Sequence, residues 1–492
     1  PPYAGTGSVN GALSAFSKEN YPNSKADLFS MFIDRNLRLS RNGGCSALVT
    51  MQSWLFLSAY ERLRGKILGE AEISSLIQIG YNSFPELNSK VAQGAAFVLR
   101  TTAEPKTGSF INLNDAPQAA DKDAVFKRYK AEKRIYFTHQ ENFEVLPGKP
   151  IAYWISDAVG AAFADSSSVG NVADVKNGMS TTDNVRFTRS WFEVSNSALK
   201  LDANTRAEAK QSEKKWFPYN KGGLFRRWFG NHGTVVNWQH GGREIKKAAE
   251  GASGGRIVSE EFFFQASMSW SKVSTGKFAI RYYDPGSIFD VAGPSIFADD
   301  GYLMSLASQL NGKTSLPFIE QLSPTINYEG GQVQAIPLKT AIFNDMATQS
   351  NGRRLVELSK SDWDAYETSW DFTTLPLLSP DHRGDTLEDS YATLRAHRQG
   401  MTDEMQRLEE ENNRIFIDAY GLEDELTPEV PLNEITLTCN PAYRYGVKGL
   451  EADREARLRA DTMAEFLHYA VGCMFGRYSL DAPGLILANQ GE

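Results

Sequence analysis

The sequence predicts an α/β beginning, an α+β middle and a helical end, and three observations carry that expectation. Short apolar runs alternate with helix-spaced apolar residues over the first hundred positions. From Ile151 to about Leu338, short aromatic and β-branched runs are broken by Gly, Asn and Asp. Beyond Leu338 the composition turns helical and acidic. A length of 492 residues suggests two to four domains with ample core. Hydrophobic content of 41% and charged content of 23% are those of a globular protein. No apolar run approaches the length of a membrane span, so no membrane partner is expected.

In chain order, Pro1-Pro2-Tyr3 opens the sequence as a turn or a polyproline-like stretch. Without an initiating Met, the chain is expected to be an internal fragment of a longer one. Residues 4–20, rich in Gly, Ser, Ala and Asn, predict a mobile loop. Ser24 with Asp27 three positions later predicts a capped helix start. Leu28, Phe32, Ile33 and Leu37 mark the face of that helix, and Gly43-Gly44 stop it. The run Cys45–Met51 suits a central parallel strand. Ser53 is then expected to cap a second helix with Leu57, Tyr60, Leu63 and Ile67 inward. Ile73–Ile79 predicts a strand paired with Ala95–Arg100, with Phe84-Pro85 in the loop between them.

The domain expectation follows: 1–104 a doubly wound half-sheet, 105–150 a connection, 151–340 an α+β domain. Within the connection, a Lys-rich stretch over 121–137 predicts a short helix leading into a strand. Residues 341–435 read as an acidic helical spacer, and 436–492 as the start of a further helical region with a helix over Asp461–Tyr478. The charged stretch 401–416 is by default a solvated helix, and alternatively a docking surface.

The net charge of −8 hides an asymmetry. Residues 206–247 hold ten Lys and Arg against three Asp and Glu, whereas 360–492 hold twelve against twenty-six. A basic middle suits phosphates; two differently solvated faces are the plainer alternative. Within it, Lys214, Lys215, Lys221, Arg226 and Arg227 alternate with Trp216, Tyr219, Trp228 and Asn237. Such interleaving fits a surface that grips phosphates and positions side chains at base edges. At least two of Trp216, Trp228 and Trp238 are expected to be core instead. Cys45, Cys439 and Cys473 show no metal spacing and the six histidines form no cluster, so no metal site is expected. Scattered cysteines of this kind suit a reducing cytoplasm.

The Pro1-Pro2-Tyr3 turn, followed by helix, strand, helix and a two-stranded ending with Phe84 in its loop, resembles N6-adenine DNA methyltransferases. The resemblance implies the C-terminal half of a Rossmann-like methyltransferase sheet, followed by an α+β target-recognition domain and a helical region. It implies that Pro1 and Pro2 belong to the loop holding the target base and that the carbonyl of Pro1 accepts a hydrogen bond from the adenine amine. Tyr3 and Phe84 would stack on the flipped base, and Phe32 would pack on the adenine of S-adenosylmethionine. The family's Asn before Pro1 and its glycine-rich cofactor loop are absent from this sequence, so most of the cofactor site is expected upstream. No glycine-rich turn replaces it, since Gly222-Gly223 and Gly254-Gly255 read as turns.

Stretch 178–187 (GMSTTDNVRF) resembles the start of a restriction-modification target-recognition domain, and 303–338 its end, with a helix, a Pro-Thr turn and a final strand. Stretches 54–58, 215–223 (KWFPYNKGG), 289–293 (FDVAG), 370–372, 413–417, 420–422 and 472–478 resemble the PglX methyltransferases of BREX phage-defence systems. That resemblance implies methyl transfer from S-adenosylmethionine to a flipped adenine, with other phage-defence proteins as partners of the acidic region. A non-catalytic DNA-binding specificity module and a fused restriction-modification enzyme remain the alternatives.

Overall fold

A computed structural model describes residues 2–5, 7–81, 93–102, 104, 106–117, 119–250, 252, 256–274, 277–322, 327–343 and 345–486. The chain divides into two units, 1–165 and 166–492.

In the first unit the glycine-rich opening is helical where a loop was expected. α1 (Gly11–Asn20) begins at Asn10, whose side chain accepts the Leu13 N–H at 2.9 Å. α2 (Leu28–Leu39) starts at Asp27 rather than Ser24, because Asp27 accepts the Phe29 N–H and Ser30 closes the reciprocal capping box. Phe29, Ile33 and Leu37, spaced four apart, make its buried stripe, while Phe32 is 43% exposed. Two 3₁₀ turns follow β1 (Cys45–Met51), so α3 (Glu61–Glu70) starts well past Ser53. Tyr60, Leu63 and Ile67 are inward as expected, whereas Leu57 is largely exposed.

β1, β2 (Ala71–Gly80), β3 (Gly94–Thr101), β4 (Thr107–Asn112) and β5 (Tyr136–His139) form one sheet in the order β1-β3-β2-β4-β5. β3 lies antiparallel between β1 and β2, with Leu48 opposite Phe97 and Phe97 opposite Leu76. β2 runs parallel to β4, and β4 antiparallel to β5. β1, β2 and β4 therefore point the same way. The expectation of a central parallel strand at Cys45–Met51 is corrected: among the described residues its one sheet neighbour is the antiparallel β3. Its exposed Cys45, Ala47 and Val49 alternate with buried Ser46 and Thr50, the period of a half-buried strand. The Lys-rich stretch forms α4 (Lys122–Ala131) leading into β5, as its pattern predicts. Trp54, Leu63, Ile73, Leu76, Phe97 and Phe110 fill the core between helices and sheet. Each such side chain contributes about 1.5–3 kcal/mol on burial.

The second unit holds two larger sheets. One has four strands in the order 288–289, 216–220, 234–237, 188–190, and the other five in the order 228–229, 280–283, 267–270, 295–297, 174–176. Pro337–Leu338, expected as a final strand, pairs with Ser167–Ser168; the Pro-Thr turn before it lies outside the described residues. Helices accompany the sheets, among them α5 (Asp300–Leu310), α6 (Met346–Asp364), α7 (Leu387–Tyr420) and α8 (Glu451–Met474). α8 begins ten residues before its expected start. α7 is capped by Thr386 and ends on Gly421, whose φ of 66° suits glycine. Its charged stretch is no solvated rod: Met401, Met405, Leu408, Asn412 and Phe416 form a buried stripe, and Glu409 is buried with them. Among the described residues no helix is long and apolar enough to cross a membrane, and no group of three or more His, Cys, Asp or Glu could hold a metal ion.

Candidate base-holding turn and nucleic-acid interface

The turn at Pro2-Tyr3-Ala4-Gly5 is pinned to the start of α2. The Ala4 N–H donates to Asp27 Oδ1 at 3.1 Å, and the Leu28 N–H donates to the Ala4 carbonyl at 3.1 Å. Asp27 thus caps the helix and anchors the turn with one carboxylate. The Tyr3 ring meets Phe29 edge-on, centroids 6.1 Å apart at 73°, and Phe29 packs on Tyr60 at 5.5 Å. At 37% exposure Tyr3 keeps part of its ring open. Burial, then the nearby Asp27 charge, raises its phenol pKa, so the hydroxyl stays neutral. Pro1, Phe84 and the turn at Gly254-Gly255 lie outside the described residues.

Below the turn, Asp34 locks α2 to α3. It accepts from Ser24 Oγ at 3.0 Å, Arg38 Nε at 2.9 Å and Lys66 Nζ at 2.7 Å. Burial pushes this carboxyl up, but the bonds from Lys66, Arg38 and Ser24 outweigh it and hold the pKa below its usual value. An amide cluster, invisible in the sequence, sits at the carboxyl ends of β1 and β2. The Gln52 N–H donates to the Gln93 carbonyl at 2.8 Å, its side chain bonds the Gln93 amide, and Asn114 Nδ2 donates to Gln52 Oε1 at 3.3 Å. Gly80, with φ of 76°, lies so near Asn114 that a Cβ would sit 1.7 Å from its Oδ1.

In the second unit three distant stretches converge. Tyr219 and Asn220 pair in parallel with Ile288 and Phe289, and Asp290 bridges Met179. The Tyr219 hydroxyl donates to Asp290 Oδ2 at 2.7 Å. Burial, then Asp290, raises that phenol well above its usual value. Lys221 Nζ donates to Asn184 Oδ1 at 2.8 Å and lies 3.6 Å from Asp290. A Cβ on Gly178 would lie 2.0 Å from the Phe289 carbonyl oxygen, so backbone contact fixes that glycine.

Lys215 is exposed, with Nζ 5.3 Å from the Trp216 ring centre, and Arg189 lies 5.7 Å from the same ring. Sequence reasoning missed Arg189, which the pairing of 188–190 with 234–237 and of 234–237 with 216–220 brings to the same Trp216 ring as Lys215. Lys214 is half-buried and donates to the Ser197 carbonyl. Trp216, Trp228 and Trp238 are all buried, in keeping with the expectation that at least two of them are core.

Arg226 and Arg227 require a correction. They are 4% and 6% exposed, too buried to meet phosphates. Arg226 donates to Asp362 at 2.7 Å, Thr438 Oγ1 at 2.8 Å and the Phe229 carbonyl at 2.8 Å. Arg227 reaches Glu409 at 2.6 Å and Glu434 at 3.0 Å. Part of the charge asymmetry is therefore internal: basic residues of the middle answer acids of the helical end.

The family model described as Eco57I restriction-modification methylase matches residues 1–84. The chain is 35% identical over 502 residues to the adenine-specific methyltransferase PglX of Lacticaseibacillus casei (strain Zhang), a match covering 99% of this chain and 40% of that protein. It is 33% identical over 498 residues to the adenine-specific methyltransferase BrxX of Escherichia coli O9:H4 (strain HS), covering 100% of this chain and 39% of that one. A solved structure of the Type IIL restriction-modification enzyme MmeI in complex with DNA is similar at a TM-score of 0.49 and 10% identity, over 87% of this chain and 54% of that one. The chain spans about two fifths of the length of the curated relatives it matches. Along that whole span it is similar to the adenine-specific methyltransferases PglX and BrxX.

Proposed function

We propose that this chain holds the target adenine and reads the surrounding DNA within a site-specific adenine-N6 methyltransferase of phage defence. The observation that carries the reading is the relation to PglX and BrxX across 99–100% of the chain. The geometry of the turn supports it. An adenine amine is a poor nucleophile because its lone pair is conjugated into the ring, so a base-holding site needs acceptors for the amine hydrogens and a surface for the ring. Tyr3, neutral and partly open, offers that surface, and Asp27 fixes where it stands. The carbonyl of Pro1 is the acceptor this reading assigns, and Phe84 a second stacking ring. Stacking contributes about 1–3 kcal/mol per base, which offsets much of the few kcal/mol that flipping costs.

S-Adenosylmethionine, when bound, supplies the methyl group. Phe32 fits a place against its adenine, since its ring stands exposed on α2. Residues 151–340 act as the target-recognition domain on double-stranded DNA, with Lys214, Lys215 and Lys221 at phosphates and Arg189 joining them. The exposed Glu388, Asp389 and Asp403 of α7 are the surface for other phage-defence proteins. Work on DNA with this cofactor belongs in the cytoplasm.

The test is an exchange of residues 151–338, in the full-length protein, for the matching segment of a relative with another target. Methylation mapping should show the marked site move with the segment while the chemistry persists. An active chimera that still marks the original site would place specificity elsewhere, and absence of adenine methylation by the intact parent would remove the reading itself.

A further inference from the structure

None of the preceding roles uses the amide cluster of the first unit, and its members all stand at one end of the sheet. β1, β2 and β4 point the same way, so Gln52 just past β1, Gly80 at the end of β2 and Asn114 just past β4 mark their carboxyl ends. β3 runs the other way and begins there, directly after Gln93. The chain thus leaves the sheet at Gly80 and returns at Gln93 on that same side. Carboxyl ends of strands are where open α/β sheets bind their ligands.

One chain of amides grips both stems of that connection. On the returning stem, the Gln52 N–H donates to the Gln93 carbonyl at 2.8 Å and Gln52 Nε2 donates to Gln93 Oε1. The other end of the Gln52 amide, Oε1, accepts from Asn114 Nδ2 at 3.3 Å. On the outgoing stem, Asn114 Oδ1 fills the place that a Cβ at Gly80 would take. Asn114 is itself set, because its N–H donates to Asn112 Oδ1 at 3.0 Å and the Leu113 N–H donates to the Gln78 carbonyl at 2.8 Å. Four strand ends are therefore joined around Gly80 and Gln93, the two residues that bound the connection. Asn114 is exposed, where water offers its amide the same bonds and a protein partner adds little to stability. A network that adds little stability and spans both stems of one connection fixes geometry.

We propose that Gln52 and Asn114 are positioning residues for the target base, because the connection whose stems they brace carries Phe84. By holding both stems they set where the Phe84 ring meets the flipped adenine. The proposal rests on the base-holding reading of Phe84 and adds what places that ring. Such placement matters to the reaction, since about an ångström of displacement can cost on the order of a hundredfold in rate.

The test uses the full-length protein. Asn114→Ala removes one end of the amide chain at an exposed position, and Gln52→Met removes its middle while keeping the length of a side chain that is 5% exposed. Each should lower kcat for adenine methylation roughly three- to tenfold. Each should also dim a 2-aminopurine placed at the target position, whereas affinity for target DNA, set mainly by phosphate contacts, should be unchanged. A double-mutant cycle separates positioning from stability: adding Asn114→Ala to Phe84→Ala should cost nothing further, because the ring it places is gone. Losses that multiply in the double variant overturn the proposal. So do parent-like kcat and fluorescence in both single variants beside an impaired Phe84→Ala, an outcome that leaves the base-holding reading standing. Phe84→Ala at the parent's level would remove the stacking reading and this proposal together.

Discussion

Arg227 donates from Nη1 to Glu409 Oε2 at 2.6 Å, with both side chains almost wholly buried. The neighbouring Trp228 indole N–H takes the other oxygen of that carboxylate at 2.6 Å, and Arg227 Nη2 reaches Glu434 at 3.0 Å. Burial pushes the Glu409 carboxyl up, and the charge of Arg227 with the bonds from Trp228 and Arg227 opposes it. The bond closes a gap of 182 residues and fastens the strand at 228–229 to α7.

Breaking this pair from one side is expected to be costly. Arg227→Gln leaves Glu409 without its charge partner and should destabilise by about 3–5 kcal/mol, whereas replacing both residues with Met should cost much less. Urea unfolding of the second unit measures it, and a single variant with the parent's midpoint would show that the pair contributes nothing.

Phosphate binding is expected from the three lysines that are not buried, exposed Lys215 and half-buried Lys214 and Lys221. Changing Lys214, Lys215 and Lys221 to Gln should lower affinity for all DNA sequences alike. The plot of log affinity against log salt should flatten by about 0.9 for each phosphate no longer neutralised. Binding isotherms at several salt concentrations would refute this if a folded triple variant kept the parent's slope.

Stacking predicts a graded series at the turn. In the full-length protein Tyr3→Ala should weaken base holding by about 1–3 kcal/mol, and Tyr3→Phe should be mild because a ring face remains. Phe84→Ala is expected to behave like Tyr3→Ala. Fluorescence of a 2-aminopurine placed at the target position reports the flipped state, and full methylation by both alanine variants would end the stacking assignment.

Acid should destabilise the second unit through His232, which lies buried against Tyr283 and Trp370. Burial first, then Arg281, Lys360 and Arg226, brings its pKa from 6.5 down to about 3. Between those values the unfolded chain binds the extra proton, so stability rises with pH in that window and falls on acidification. The expected decrease is about 1.4 kcal/mol per pH unit below 6.5, with no contribution above it. His232→Phe should remove this slope; identical pH dependence of the two unfolding midpoints would exclude the histidine as its source.

The sequence by itself determined the local order of this protein. Periodicity located the helices around Leu28–Leu37 and Tyr60–Ile67, the strands at Ile73–Ile79 and Ala95–Arg100 within the observed 71–80 and 94–101, and the short helix before Tyr136. Those signals need only neighbours a few residues away, because a helix face or a strand face is set by side-chain repeat. Boundaries slipped where two cap residues competed: Asp27 took the cap because its carboxylate also anchors Ala4. The tertiary structure alone decided partners. That β3 enters between β1 and β2, that Arg189 reaches the Trp216 ring beside which Lys215 also lies, and that Arg226 and Arg227 turn inward all depend on residues distant in sequence. A charged side chain reads the same in sequence whether it faces water or a buried carboxylate, and only the fold, by removing the water, tells the two apart.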